Sequence, residues 1–308
     1  MSAAPDGKPS LAALVIAFAT IYLVWGSTYL GMRVAIETMP PFAMAAARFL
    51  ISGAILYAFV RVRGAARPTR QQWRDNTIIG TLLLLGGNGL VVWAEQFIPS
   101  GVAALVIGIT PVFFVLAEWA WPGGQRPTAW MFLGLALGFI GVAWLAAPWE
   151  TAVDRALHPG GLVALIMACV LWTVGSMFSR HTRNPAPPFV ASAVQMLCGG
   201  VALALVALLR GEVGGLELTA ISARSWWAFA YLVLIGSLVG FSTFVWLMKH
   251  STPARVSTYA YVNPVVAVFL GWWILDEKVD EHIVLPALII VAAVVLITTQ
   301  RSRVAVKK

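Results

Sequence analysis

Long apolar runs separated by short polar punctuation make up nearly the whole chain. Runs of about twenty mostly apolar residues, the length a helix needs to cross the hydrocarbon of a bilayer, recur ten times. They fall near 11–34, 41–60, 76–97, 100–121, 128–147, 160–179, 188–209, 226–248, 256–275 and 283–300. Ile98-Pro99-Ser100 and Pro122-Gly123-Gly124-Gln125-Arg126-Pro127 read as tight turns, and 61–75, 148–159 and 210–225 as longer polar connections. Only helices and closed barrels satisfy backbone polar groups in lipid, and barrel strands alternate in hydropathy over about ten residues. Thr81-Leu82-Leu83-Leu84-Leu85 and Val291-Ala292-Ala293-Val294-Val295-Leu296-Ile297 do not alternate. The expected fold is an all-α polytopic membrane protein with ten transmembrane helices.

Composition agrees. Hydrophobic residues are 60% of the 308 and charged residues 11%, against about 45–50% and about 25% in soluble domains. A net charge of +8 would suggest nucleic acid as partner for a soluble protein; here it sorts by side, and no nucleic-acid partner is expected. With the N-terminus inside, fifteen Lys and Arg fall on the cytoplasmic side. Five (Arg33, Arg155, Arg210, Arg224 and Lys278) fall on the other, and Arg48 lies within the second span. That bias places both termini in the cytoplasm. The first ten residues are too short and polar for a cleaved leader, and the run behind them is too long for one. Cys169 and Cys198 sit in apolar runs without partners at metal spacing and read as core fillers.

A repeat overlies this pattern. Adding 147 to Trp25, Arg33, Pro40, Pro41, Phe42, Leu50, Gly53, Arg63 and Gly64 lands on the same residue type each time, and adding 153 carries Trp93 and Pro111 onto Trp246 and Pro264. The chain therefore divides into 1–150 and 151–308. Five spans per half is an odd number, so the second copy enters the membrane from the opposite face. Inverted repeats are the signature of alternating-access transporters, although duplication also builds channels and assembly subunits.

Trp25-Gly26-Ser27-Thr28, Pro40-Pro41-Phe42 with Ala47-Arg48-Phe49, and Gly87-Asn88-Gly89-Leu90 with Trp93-Ala94-Glu95-Gln96 resemble the EamA branch of the drug/metabolite transporter superfamily, over essentially the whole chain. The resemblance implies a permease of the bacterial inner membrane, often an exporter of amino acids or related metabolites. Asp276-Glu277-Lys278 departs from it, since Gly-Glu-Arg or Gly-Glu-Lys is common there.

Arg48 is the most unusual residue, about 9 Å below the outer boundary of the second span at 1.5 Å per residue. It either snorkels outward or presents its guanidinium to a substrate carboxylate; its repeat mate is the uncharged Gln195. Arg33 and Arg180 read as anchors or gate residues at opposite faces. Asn88 between glycines, and Asn263 and Thr110 just before prolines, are polar cavity candidates, and Pro111 and Pro264 candidate hinges. Trp25, Tyr29, Trp93, Trp172, Trp246, Tyr259 and Tyr261, with Ser27, Thr28, Ser176, Ser257 and Thr258 at the edges, suit a mostly apolar cavity for amphipathic solutes. Gly134 and Gly138 are spaced for helix packing.

Glu95 and Glu118 read as capping or pairing groups near an interface. No carboxylate falls near the middle of a span, so downhill or exchange transport is expected rather than proton coupling. No Walker loop, metal cluster or nucleophile constellation is present, and neither a cofactor nor a bound metal is expected. Taken with the resemblance, the expected function is secondary transport of small-molecule substrates, namely small amphipathic metabolites, with amino acids bearing aromatic or other apolar side chains foremost. They are exported by alternating access of the two inverted repeats, in a protein that works as a monomer in the lipid bilayer. A broad drug or sugar-linked metabolite exporter, an intramembrane enzyme and a non-transporting assembly subunit are the alternatives.

Overall fold

The structure is a computed structural model and describes residues 9–120, 128–146, 158–182, 186–214, 216–251, 256, 259–277, 279 and 281–306. Among these, the helices are α1 Leu11–Ala35, α2 Pro41–Val62, α3 Arg70–Ala94, α4 Ser100–Ala120, α5 Ala129–Ala146, α6 Pro159–His181, α7 Pro188–Leu209, α8 Ala223–His250, α9 Tyr259–Leu275 and α10 Glu281–Val306. A single 3₁₀ turn, Leu218–Ala220, joins α7 to α8. Seven of the helices, α1–α4 and α6–α8, are long and apolar enough to cross a membrane. Shorter apolar stretches lie in α5 (Ala129–Gly138), α9 (Val262–Leu275) and α10 (Ile283–Ala293).

Local chemistry sets the ends. Each Pro-Pro-Phe motif opens a helix: Pro40 and Pro187 are extended, and Pro41 and Pro188 take the first helical position, where the missing N–H costs nothing. Past the far ends of these two helices, Gly64 and Gly211 adopt φ +84° and +72°, the left-handed stop that glycine permits without strain. Helix α3 begins at Arg70, six residues before the expected start. Thr69 and Gln72 form a reciprocal capping box that extends a polar first turn beyond the apolar stretch. The turn expected at 122–127, and residues 148–157 of the connection expected at 148–159, lie outside the described residues.

Two helices are wound as π-helix through their middles, Thr81–Gly89 in α3 and Leu232–Phe241 in α8. Glycine makes the contacts around them close. A Cβ on Gly80 would lie 2.4 Å from the Gln195 carbonyl oxygen, and one on Gly199 2.6 Å from the Gly80 carbonyl oxygen. Helices α2 and α7 cross reciprocally: a Cβ on Gly53 would meet the Leu197 nitrogen at 2.9 Å, and one on Gly200 the Leu50 nitrogen at 3.0 Å. Such small residues let backbones approach where lipid offers no hydrophobic drive between helices.

This packing predicts the sign of one substitution. Gly80 is helical, with φ −61° and ψ −41°, so alanine should favour the helix intrinsically. The crowding at Gln195 reverses that gain, and Gly80→Ala should destabilise the protein by about 1–3 kcal/mol. Gly214→Ala, whose nearest neighbour would be 3.8 Å away, should melt like the native protein. Thermal melts in detergent test the pair, and an unchanged Gly80→Ala melt would mean that the α3–α7 approach is not tight.

Candidate central cavity

The chain turns place Arg33, Glu95, Ser100, His158, Glu212 and Glu277 at one end of the bundle and Asp75, Glu118, Arg180, Thr182 and Lys249 at the other. Between the ends lies a cavity of about 80 Å³. Trp25, Thr28, Tyr29, Arg48, Asn88, Trp172, Tyr259 and Asn263 of the sequence candidates line it, together with Thr110.

Its aromatic wall is built on the π-helical segments. Trp25 meets Trp172 edge to face with centroids 5.6 Å apart, Tyr259 at 5.1 Å and Phe244 at 4.9 Å. The two indoles press on glycines of opposite π segments: a Cβ on Gly240 would lie 2.9 Å from Trp25 Nε1, and one on Gly87 2.7 Å from Trp172 Cε3. Side chains at Gly87 or Gly240 would evict a ring.

Arg48 turns into the bundle and is 3% exposed. Its Nε donates to Ser237 Oγ at 2.7 Å, and its Cζ stands 4.7 Å from the centre of the Phe49 ring. Gly236 leaves room for it, since a Cβ there would lie 3.0 Å from Nη2. Nη1 is buried without a partner. Asn88 Nδ2 reaches Met32 Sδ at 3.8 Å, and its Oδ1 is also buried and unpartnered. An unpaired donor and an unpaired acceptor thus face one cavity, and buried polar groups are costly in that condition. The Asn263 amide, oriented to suit its neighbours, donates to the Tyr259 and Tyr22 carbonyls at 3.2 Å.

Other candidates stand elsewhere. Ser27 bonds the Tyr231 hydroxyl at 2.5 Å and the Leu23 carbonyl at 2.8 Å. Trp93 packs on Phe97, and Trp246 stacks on His250. Ser176 and Gln195 line a second cavity of about 350 Å³ at the Arg180 end, with Asp75, Asn76, Arg180 and Lys249. There Gln195 Nε2 donates to Asn76 Oδ1 at 2.8 Å. The side chain of Tyr261, like Ser257 and Thr258, lies outside the described residues. Pro111 follows a real break, because α4 stops at Ile107 and resumes at Thr110; Pro264 lies inside the α9 helix.

Several of these features lie beyond the sequence reading. Cys169 lines the cavity. Ser237 anchors Arg48. Glu118 pairs with Arg180 at 3.1 Å, as a residue near an interface should, but Glu95 is fully buried rather than interfacial, with both carboxylate oxygens unpartnered. Arg33 donates to the main-chain carbonyl of Glu95, not to its carboxylate. The clustered Gly86-Gly87-Asn88-Gly89 was the available signal for the π segment, a form that favours functional sites.

Residues 11–147 and 159–299 each match the EamA-like transporter family. The chain is 35% identical over 280 residues to the "uncharacterized inner membrane transporter YedA" of Escherichia coli K12, covering 90% of this chain and 88% of the relative. It is 22% identical over 291 residues to the "uncharacterized transporter YoaV" of Bacillus subtilis 168, covering 94% and 98%. One solved crystal structure shares its fold with a TM-score of 0.69 at 23% identity, over 96% of this chain and 99% of that one. This multi-pass membrane transporter belongs to the EamA-like transporter family, within the drug/metabolite transporter superfamily.

Proposed function

We propose that this transporter exports amino acids with apolar or aromatic side chains from the cytoplasm. It moves them by alternating access of two inverted five-helix repeats, residues 1–150 and 151–308. The carrying observation is the central cavity, where rings of Trp25, Trp172 and Tyr259 surround one free guanidinium nitrogen and one free amide oxygen. A carboxylate fits Arg48 Nη1, an ammonium group fits Asn88 Oδ1, and an apolar side chain fits the aromatic wall.

Alternating access is supported by contacts that recur between the halves. Gly53 on Leu197 is repeated by Gly200 on Leu50, and Trp25 on Gly240 by Trp172 on Gly87. The first exchange uses the offset of 147 and the second combines 147 with 153, the two offsets that relate the halves in sequence. On this reading the three shorter apolar helices also cross, which with the seven long spans makes ten crossings. Five per half would invert the second copy. The break between Ile107 and Thr110 offers a bend, and the crossing of α2 and α7 a pivot. The protein works as a monomer on this reading, since both halves of the site come from one chain.

Three outcomes are expected. In proteoliposomes, Arg48→Ala should lose roughly 10- to 100-fold in apparent affinity for L-tryptophan or L-leucine. That is the equivalent of a charged hydrogen bond of about 1.5–3 kcal/mol. The same variant should spare decarboxylated analogues, and equal losses for acids and amines would remove the guanidinium from recognition. Trp172→Ala should weaken L-tryptophan more than L-leucine, by about fivefold, and equal effects would make the indole structural. A reporter inserted after Gly64 should read cytoplasm and one after Gly211 the opposite compartment; the same side for both would refute the inverted topology.

A further inference from the structure

Beside the exposed Glu37, which pairs with Arg224 at 3.7 Å, three buried or half-buried carboxylates lie at the Arg33 end among the described residues, and two of them are fully employed. Glu212 Oε2 accepts from the Ala43 N–H at 2.8 Å, at the head of α2. Glu277 accepts from the Ser100 N–H at 2.9 Å, the Ser100 hydroxyl at 2.8 Å and the Gly101 N–H at 3.2 Å, at the head of α4. The third, Glu95, has no exposed surface and no hydrogen bond to either carboxylate oxygen. A glutamate kept for structure would be expected to hold something, as the other two do.

Its place ties it to the central cavity. Glu95 follows the last residue of α3, and its N–H closes an α-turn onto the Val91 carbonyl at 3.0 Å. Val91 lines the cavity, so Glu95 lies one turn beyond it on the same face of the helix. Around it stand Tyr29 and Arg33 on α1, Arg48 on α2 and Glu277 beyond α9. His158, stacked on Phe97, caps the adjoining α6, which carries Cys169. Arg33 is spent on the main chain, Arg48 Nε on Ser237 and Glu277 on the head of α4. An ionised carboxylate without hydrogen bonds is severely penalised in such surroundings. Burial, helped by the Glu277 charge, holds the Glu95 carboxyl well above the usual carboxylate range, although Arg33 and Arg48 act the other way.

We propose that Glu95 is a proton-binding site through which this transporter couples solute movement to a pH gradient. The proposal rests on the alternating-access reading above. Glu95 carries its proton in the arrangement seen here. When the Arg33 end opens, water reaches the carboxyl, the O–H bond breaks and one proton passes to the water at that end. When the Arg33 end has closed and the opposite end opens, one proton from the water on that side re-forms the O–H bond by way of the central cavity, so each cycle carries one proton from one end to the other. In between, the ionised carboxylate is a rival of a solute carboxylate for Arg48 Nη1, which links the proton to the solute site.

Infrared difference spectroscopy of the purified, substrate-free protein tests the site directly. The native protein should show the carbonyl stretch of a buried protonated acid, persisting above the usual carboxylate range and lost as pH rises further. Glu95→Gln should lose that band, and Glu95→Asp should keep a shifted one. A native spectrum without a band that depends on Glu95 overturns the proposal. In proteoliposomes, an imposed pH gradient of one polarity should drive native protein to accumulate L-tryptophan or L-leucine uphill. Glu95→Gln, which mimics the neutral acid, should lose accumulation at least tenfold yet retain exchange at equal pH. Accumulation by Glu95→Gln at the native level, or native exchange that no pH gradient can drive uphill, overturns it. If neither amino acid is moved by native protein while the Glu95 band titrates, the substrate reading fails and the proton site stands.

Discussion

The close crossing of α2 and α7 is the contact on which the rest depends. Gly53 and Gly200 bring each backbone to the other's Leu197 and Leu50. In a bilayer, helix association draws on packing rather than on escape from water, so a seam this tight is where the halves are held. The turns on either side of the glycines then set the chemistry. Ser52 Oγ reaches the Val233 carbonyl at 3.1 Å, and Gly199 packs on the Gly80 carbonyl, so each of α2 and α7 touches a helix wound as π through its middle. Extra residues per turn shift which side chains face inward, and the segments present Asn88 and Gly87 on one side and Gly236 and Phe241 on the other to the same cavity.

Against that near-symmetric frame, one difference separates two sites. Arg48 and Gln195 stand at corresponding positions, just before the crossing glycines. Arg48 enters the enclosed aromatic cavity, held by Ser237. Gln195 bonds Asn76 in the larger polar cavity toward Arg180. A guanidinium retains unused donors after one hydrogen bond, so the charged member can take a ligand while staying anchored. An amide in its place has less to offer an anion.

Much of this was legible in the sequence because apolar run length and exact repeats survive without knowledge of packing. The paired prolines that open α2 and α7, and the glycines at 64 and 211, follow from local rules. The inward turn of Arg48 did not, since snorkelling and binding place the same residue at the same depth and differ only in what Gly236 and Ser237 leave free. Glu95 was misjudged for a related reason. Its position at the end of a span suggests water, but its side chain has no exposed surface and Arg33 reaches only its main-chain carbonyl, which three-dimensional packing alone shows. Ser27 belonged to the motif yet bonds Tyr231, because a motif fixes residue type and not the direction a side chain takes.

The two kinds of contact between the halves also differ in how they can come apart. Separating Gly53 from Leu197 leaves a void that nothing in the bilayer fills without cost, since lost packing contacts have no substitute. The carboxylate caps at Ala43, Ser100 and Gly101 are different, as water can replace each hydrogen bond, at a net cost of about 1.5–3 kcal/mol for a charged acceptor. At the opposite end, Thr182 on Asp75 at 2.8 Å and Arg180 on Glu118 at 3.1 Å are likewise polar contacts that water can replace. Movement should therefore concentrate at the two polar ends while the glycine seam stays closed. On that division Glu95 is placed where opening changes its surroundings most: one helical turn from the cavity, behind contacts that water can undo.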